Sequence, residues 1–166
     1  DIITGNTTYG QDVKVAGMKF AVVARPPVVG GEVVSYDEAA AMAVPGVIKI
    51  VKIPATKAPA KFGPLGGVAV IAENTWSAMQ ARNKLNVKWN DGPNGSYDSE
   101  AFKKQLQATA RQPGKVERNE GDFDAAIKTA AKVIEREYYV PHSSHATMEP
   151  PAATAVVKDG KAEVWA

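Results

Sequence analysis

Apolar residues recur at every second position from Met18 to Ala24. Met18, Phe20, Val22 and Ala24 share one face, while Lys19 and Arg25 fall on the other. A period of two marks a half-buried strand. Pro26-Pro27 ends it, because proline has no N–H to give to a ladder. Gly30-Gly31 makes a turn, and Glu32 to Ser35 forms a short second strand. The pattern then changes. Ser35-x-x-Glu38 has the form of a capping box, which starts a helix near Tyr36. That helix is short and alanine-rich (Ala39, Ala40, Ala41, Ala43), so it can pack closely on a sheet, and Pro45-Gly46 stops it. Val47 to Ile53 is a β-branched strand closed by Pro54.

Pro54 to Gly67 is rich in Pro, Gly and Lys and reads as a loop. Val68 to Ala72 is apolar without interruption, as in a strand buried on both faces. Asn74 caps a helix running to about Leu85, with Trp76, Met79 and Asn83 on one side and Ala78, Ala81 and Leu85 on the adjoining one. Asn86 to Asn90 is a strand, and Asp91 to Gly95 a turn. Ser99 caps a helix with Phe102, Leu106 and Ala110 on one face, ended by Pro113-Gly114. The polar stretch Arg111–Gly121 is the best boundary between two structural units. Beyond it, Asp122 caps a helix through Ala130, Val133 to Val140 is a strand, and Asp159-Gly160 turns a terminal hairpin. Strands and helices in this order give an α+β or mixed α/β chain.

Composition narrows the functional classes. The 166 residues carry 20 Lys and Arg against 18 Asp and Glu, with 45% apolar residues. A net charge of +2 gives no electrostatic case for nucleic acid or an anionic membrane as partner. Cysteine is absent, which excludes disulfides, thiolate metal sites and cysteine-ligated iron–sulfur clusters within these residues. No apolar run approaches the roughly 20 residues that span a bilayer. The first residues, Asp1 to Gly5, have neither a basic region nor an apolar core, so they do not read as a signal peptide. Without an initiator Met, the chain reads as a piece of a longer polypeptide.

The densest chemistry lies in Tyr138 to Pro151, which holds both histidines, His142 and His145, and Glu149. His-x-x-His-x-x-x-Glu could bind zinc if the three side chains converged. The spacing is wrong for a helical pair of ligands, and Pro141, Pro150 and Pro151 forbid a regular helix. The plainer reading is a histidine and a carboxylate that hydrogen-bond local backbone. Ser143 and Ser144 lie beside the histidines, but no Gly-x-Ser-x-Gly elbow exists. Gly30-Gly31 and Gly66-Gly67 belong to no phosphate-binding pattern. These residues alone compose no active site: none is assigned as catalytic or cofactor-binding, and His142, His145 and Glu149 stand only as weak metal candidates.

The order of short strings carries more. Asp1-Ile-Ile-Thr-Gly-Asn-Thr-Thr-Tyr-Gly-Gln-Asp12, Gly17 to Ala21 and Ala24-Arg-Pro-Pro27 resemble the opening of the α/β hammerhead domain of the xanthine dehydrogenase and aldehyde oxidase family. Tyr36-Asp37, Ala39-Ala40, Pro45-Gly46-Val47 and Pro64 to Glu73 with Ala78 and Ala81 match its next parts. Asn119-Glu-Gly-Asp122 and His145-Ala-Thr-Met-Glu-Pro-Pro-Ala152 resemble the start of the molybdenum-binding region. Arg-Pro-Pro-Val, Asp-Gly-Pro-Asn and Met-Glu-Pro-Pro-Ala-Ala are most similar to the branch of isoquinoline 1-oxidoreductase β-subunits and membrane-bound aldehyde dehydrogenases.

The resemblance implies an α+β chain: a hammerhead domain over residues 1–115, then a linker and the first strands of a molybdopterin-binding domain over 116–166. It implies a parent that hydroxylates aldehydes or N-heteroaromatics on a molybdenum centre held by a pterin dithiolene. The implied partners are the remainder of the large subunit, an iron–sulfur small subunit and a cytochrome electron acceptor. The parent would be periplasmic or membrane-associated, the alternative being cytoplasmic. In such proteins a Gln-bearing pterin contact, a Gly-Gly-Phe-type loop and a distal catalytic glutamate follow beyond a strand like Glu163 to Ala166. The expectation is therefore a supporting, non-catalytic region with no cofactor of its own. Two alternatives stay open: a stand-alone module docking through an exposed sheet edge, and a small metal-dependent hydrolase using His142, His145 and Glu149.

Overall fold

The computed structural model describes residues 2–57 and 59–166; Asp1, and residue 58 in the Pro/Gly/Lys-rich loop, lie outside the described residues. Both helices and strands are present, so the chain is α+β. The strands are β1 (Phe20–Ala24), β2 (Glu32–Ser35), β3 (Val47–Ala55), β4 (Leu65–Ala72), β5 (Lys88–Asn90), β6 (Thr154–Lys158) and β7 (Lys161–Trp165). The helices are α1 (Glu38–Met42), α2 (Thr75–Lys84), α3 (Ser99–Ala110) and α4 (Phe123–Thr129). They fall into two compact units. One runs to Gly95 and includes Ala146–Ala166; the other is Ser96–His145.

The first unit holds the core. β4 lies between β1 and β3, antiparallel to both, with Phe20 opposite Ala72 and Ile53 opposite Gly67. Its central position explains the unbroken apolar run: Val68, Val70 and Ala72 are fully buried and Ala69 nearly so. α2 packs on β1 and β4, and α1 packs on α2 and β3. The small face of α2 makes the contact, since Ala78 and Ala81 are fully buried and Leu85 closes its end. Ala41, Val44 and Ile50 complete the cluster, with Tyr36 and Val87 packed against it. Burying a side chain such as Leu85 contributes about 1.5–3 kcal/mol. β2 and β5 pair beside this layer, and β6 and β7 form a separate hairpin.

Gly67 lets β4 sit so close to β1. Its φ is +136°, and a Cβ there would collide with the carbonyl oxygen of Ala24. The hairpin turn Asp159-Gly160 has φ of 51° and 73°, the paired positive angles of the tight turn that matches strand twist.

Several local expectations are corrected. α1 is capped by Asp37, whose Oδ1 accepts from Ala40 N at 2.9 Å, and not by Ser35. Ser35 is engaged in β2 opposite Lys88. α3 is likewise capped one residue early, by Asp98, which accepts from Ala101 N at 2.7 Å. β3 runs through Pro54 to Ala55 because it is an edge strand, paired only with β4, and its outer side needs no N–H. β4 correspondingly starts at Leu65, which shortens the loop. Asn86 has φ of 43°, so β5 begins only at Lys88. Val133 to Val140 is no strand: residues 132–147 lie in no helix, strand or turn. A strand exists only with a partner to share its ladder, and among the described residues none pairs with this segment.

Candidate functional site

In the second unit, α3 organises the side chains that carry chemistry. Tyr97 precedes its cap and Phe102 lies one turn in, and their rings meet at 5.6 Å between centroids. His142 joins them. Its ring stacks on Tyr97 at 6.0 Å and 17° and lies 5.1 Å from Phe102. Tyr97 Oη and His142 Nδ1 are 3.1 Å apart, a hydrogen bond whose donor depends on the tautomer. One turn on, Lys103 Nζ lies 4.9 Å from the centre of the Tyr139 ring. Further along, Gln107 Nε2 and Arg111 Nη2 each donate to Glu137 at 2.6 Å. The Gln107 hydrogen bond, then that of Arg111, holds the Glu137 carboxyl below its ordinary range.

Glu149 belongs to the first unit. Its Oε1 accepts from the backbone N–H of Gly10 at 3.2 Å, across 139 residues of sequence. The Thr147 hydroxyl donates to the Glu149 carbonyl at 3.1 Å. Tyr9 N in turn donates to Asp12 Oδ2 at 3.0 Å, tightening the short 3-10 turn Gly10–Asp12. Glu149 does bond backbone, but far from its own segment.

His142, His145 and Glu149 form no metal-holding group; among the described residues no three His, Asp or Glu side chains do. Ser143 donates its hydroxyl to the Pro141 carbonyl at 3.4 Å. Sequence reasoning does not single out Tyr97, Gln107, Arg111 or Glu137. A signal is present: Lys103, Gln107 and Arg111 recur at four-residue spacing, the spacing of one helix face. It is masked by the apolar Phe102-Leu106-Ala110 series beside it.

A large cofactor is held in a concave site that buries most of its surface. No residue from 104 to 166 is buried. Two surface depressions, of about 110 Å³ and about 350 Å³, lie between Gly31 and Lys84 and gather no histidine; the first holds Glu32 and Lys52, the second Trp76, Gln80 and Lys84. Among the described residues of 104–166, then, no enclosed cradle for a pterin is formed.

Residues 104–166 match a family described as the molybdopterin cofactor-binding domain. Over 98% of its length the chain is similar to three larger bacterial proteins. It is 28% identical to the B subunit of the nicotinate dehydrogenase of Pseudomonas putida, and 30% identical to the β subunit of the isoquinoline 1-oxidoreductase of Brevundimonas diminuta. It is also 30% identical to the membrane-bound aldehyde dehydrogenase (pyrroloquinoline-quinone) of Gluconacetobacter polyoxogenes.

The chain is thus similar to subunits of larger oxidoreductases and carries a partial match to a molybdopterin cofactor-binding domain.

The chain spans 13% of the first of these relatives and 21% of each of the others. Two of the three are named as subunits. The molybdopterin-domain match covers α4, the extended segment 132–147 and the β6–β7 hairpin, together with most of α3.

Proposed function

We propose that this chain is the linking and opening region of the large subunit of a molybdenum-dependent oxidoreductase that hydroxylates aldehydes or N-heteroaromatic compounds. Within these residues its role is support. It supplies a packed α+β layer and the first elements of the cofactor-binding domain, while the reacting groups come from elsewhere in the parent. The observation that carries this reading is similarity along 98% of the chain to subunits of such enzymes, joined to the molybdopterin-domain match at 104–166. The domain boundary belongs between 115 and 116, a placement supported by the fully exposed polar stretch 111–121. The partners are the remainder of the large subunit, an iron–sulfur small subunit and a cytochrome electron acceptor. A periplasmic or membrane-associated location is supported by the likeness to a relative named as membrane-bound.

One relative's name carries pyrroloquinoline quinone instead of molybdenum. The test is to purify the complete large subunit with its small subunit and measure molybdenum, quinone and oxidation of an aldehyde and of an N-heteroaromatic. Near-stoichiometric molybdenum with turnover supports the proposal; quinone without molybdenum, or turnover by the 166-residue chain alone, overturns it.

A further inference from the structure

Two turns meet beside the β2–β5 pair. One covers residues 28–31, where Gly31 N–H donates to the Val28 carbonyl at 2.9 Å. The other is the 3-10 turn Gly92–Asn94, where Gly95 N–H donates to the Gly92 carbonyl at 3.3 Å. Asn94 ties them together. Its Nδ2 donates to the Val29 carbonyl at 2.8 Å, across 65 residues of sequence. The fit is close: a Cβ on Gly30 would lie 3.5 Å from Asn94 Nδ2, and one on Gly92 would lie 3.4 Å from the Gly30 carbonyl oxygen. The ladder starts just beyond the tie, with Glu32 opposite Asn90. Asn94 is exposed, and it is the only asparagine of the chain that a glycine follows.

We propose that Asn94 is a site of spontaneous deamidation, and that the reaction cuts this tie. Glycine has no Cβ to shield its backbone nitrogen, so Gly95 N can reach Asn94 Cγ. The Gly95 nitrogen gives its proton to solvent and bonds to Cγ. The Cγ–Nδ2 bond breaks, and ammonia leaves with a proton from solvent. Water then opens the cyclic imide at one of its two carbonyls, giving aspartate or isoaspartate. Water is the only co-reactant. The fold controls the first step, because Gly95 N must leave the Gly92 carbonyl and the Asn94 amide must leave Val29 before the ring can close. The tie cannot then form again. An ionised carboxylate only accepts hydrogen bonds, so at position 94 it meets the Val29 carbonyl as a second acceptor. Isoaspartate also adds a methylene to the backbone, which lengthens the turn that Gly95 closes.

Peptide mass spectrometry of the full chain, aged in mildly alkaline buffer, tests the site. The peptide holding Asn94 should gain the mass of an amide-to-acid conversion, with isoaspartate among the products. The gain should be about 10-fold or more slower in the folded chain than in guanidinium, because two hydrogen bonds must open first. Asn94→Gln, whose longer side chain disfavours the ring, should gain none over the same period. Hydrogen exchange reads the consequence. In the aged chain and in Asn94→Asp, amides of β2 and β5 should exchange about 2- to 10-fold faster, the worth of one hydrogen bond, with β4 and α2 unchanged. The aged chain folded before it changed, so it gives this reading even where Asn94→Asp fails to fold. An intact Asn94 in the folded chain, after the unfolded chain has converted, overturns the site. Equal rates in the two overturn control by the fold, and unchanged exchange in β2 and β5 overturns the tie.

Discussion

Gly67 concentrates more structural constraint than any motif glycine suggests. Its φ of +136° is closed to L side chains, and a Cβ would meet the Ala24 carbonyl within the β1–β4 ladder. Gly67→Ala is expected to cost about 2 kcal/mol or more, from backbone strain of about 1–3 kcal/mol and the ladder displacement it forces. Urea unfolding of the chain reads this as a lower midpoint with an unchanged slope. Glu137 offers a second test at the same scale. Gln107 and then Arg111 hold its carboxyl low. A carboxylate so held adds stability that is complete above its ordinary pKa and is lost as pH falls through the lowered value. The group is exposed, so the stability change is slight and the titration itself is the readout. By NMR, Glu137 should titrate below an ordinary glutamate. Gln107→Ala should raise the midpoint, with Arg111→Ala raising it less; an unmoved midpoint in both variants would show that neither contact governs it.

The elements show what was readable in the residues and what was not. The Asn74 cap was legible because its side chain has a local target: Oδ1 accepts from Ser77 N at 2.8 Å. Asn74→Ala should cost about 1 kcal/mol, seen as a reduced melting temperature. The Ala face of α2 and the buried run of β4 were legible for the same reason, since period and side-chain size report burial directly. Caps at Asp37 and Asp98 were misplaced by one or two residues because Ser and Asp compete for adjacent positions and only geometry chooses between them. Val133 to Val140 failed differently. Its β-branched and aromatic residues suit a strand, but pairing is a property of two segments. The same limit hid the Glu149–Gly10 contact: nothing local in a sequence joins residues 139 apart. The hairpin is the opposite case. Gly160 has open space around it, so Gly160→Val should cost only the positive-φ strain, about 1–2 kcal/mol, and should speed amide exchange across β6 and β7 while leaving α2 unchanged.

At the scale of the molecule, apolar burial is unevenly shared. The residues that are buried lie between Gly31 and Leu85. Ser96–His145 contains none, and Phe123, Val133 and Val140 there are more exposed than covered. The β6–β7 hairpin has the same imbalance, with Val157 and Val164 exposed on one face. A 12-residue helix such as α3 is marginal without tertiary packing, and a lone two-stranded hairpin is marginal as well. The two regions that overlap the molybdopterin-domain match are thus the ones without a buried residue of their own. That distribution puts the stability of the chain in its first layer and leaves the later elements with little packing of their own. Limited proteolysis reads this gradient, because cleavage follows local opening. Trypsin acting on the 166-residue chain should cut first between Arg111 and Arg136, and the Val47–Lys84 region should outlast those cuts. Uniform cleavage along the 166-residue chain would mean that the core between Gly31 and Leu85 is no more stable than the segments after it.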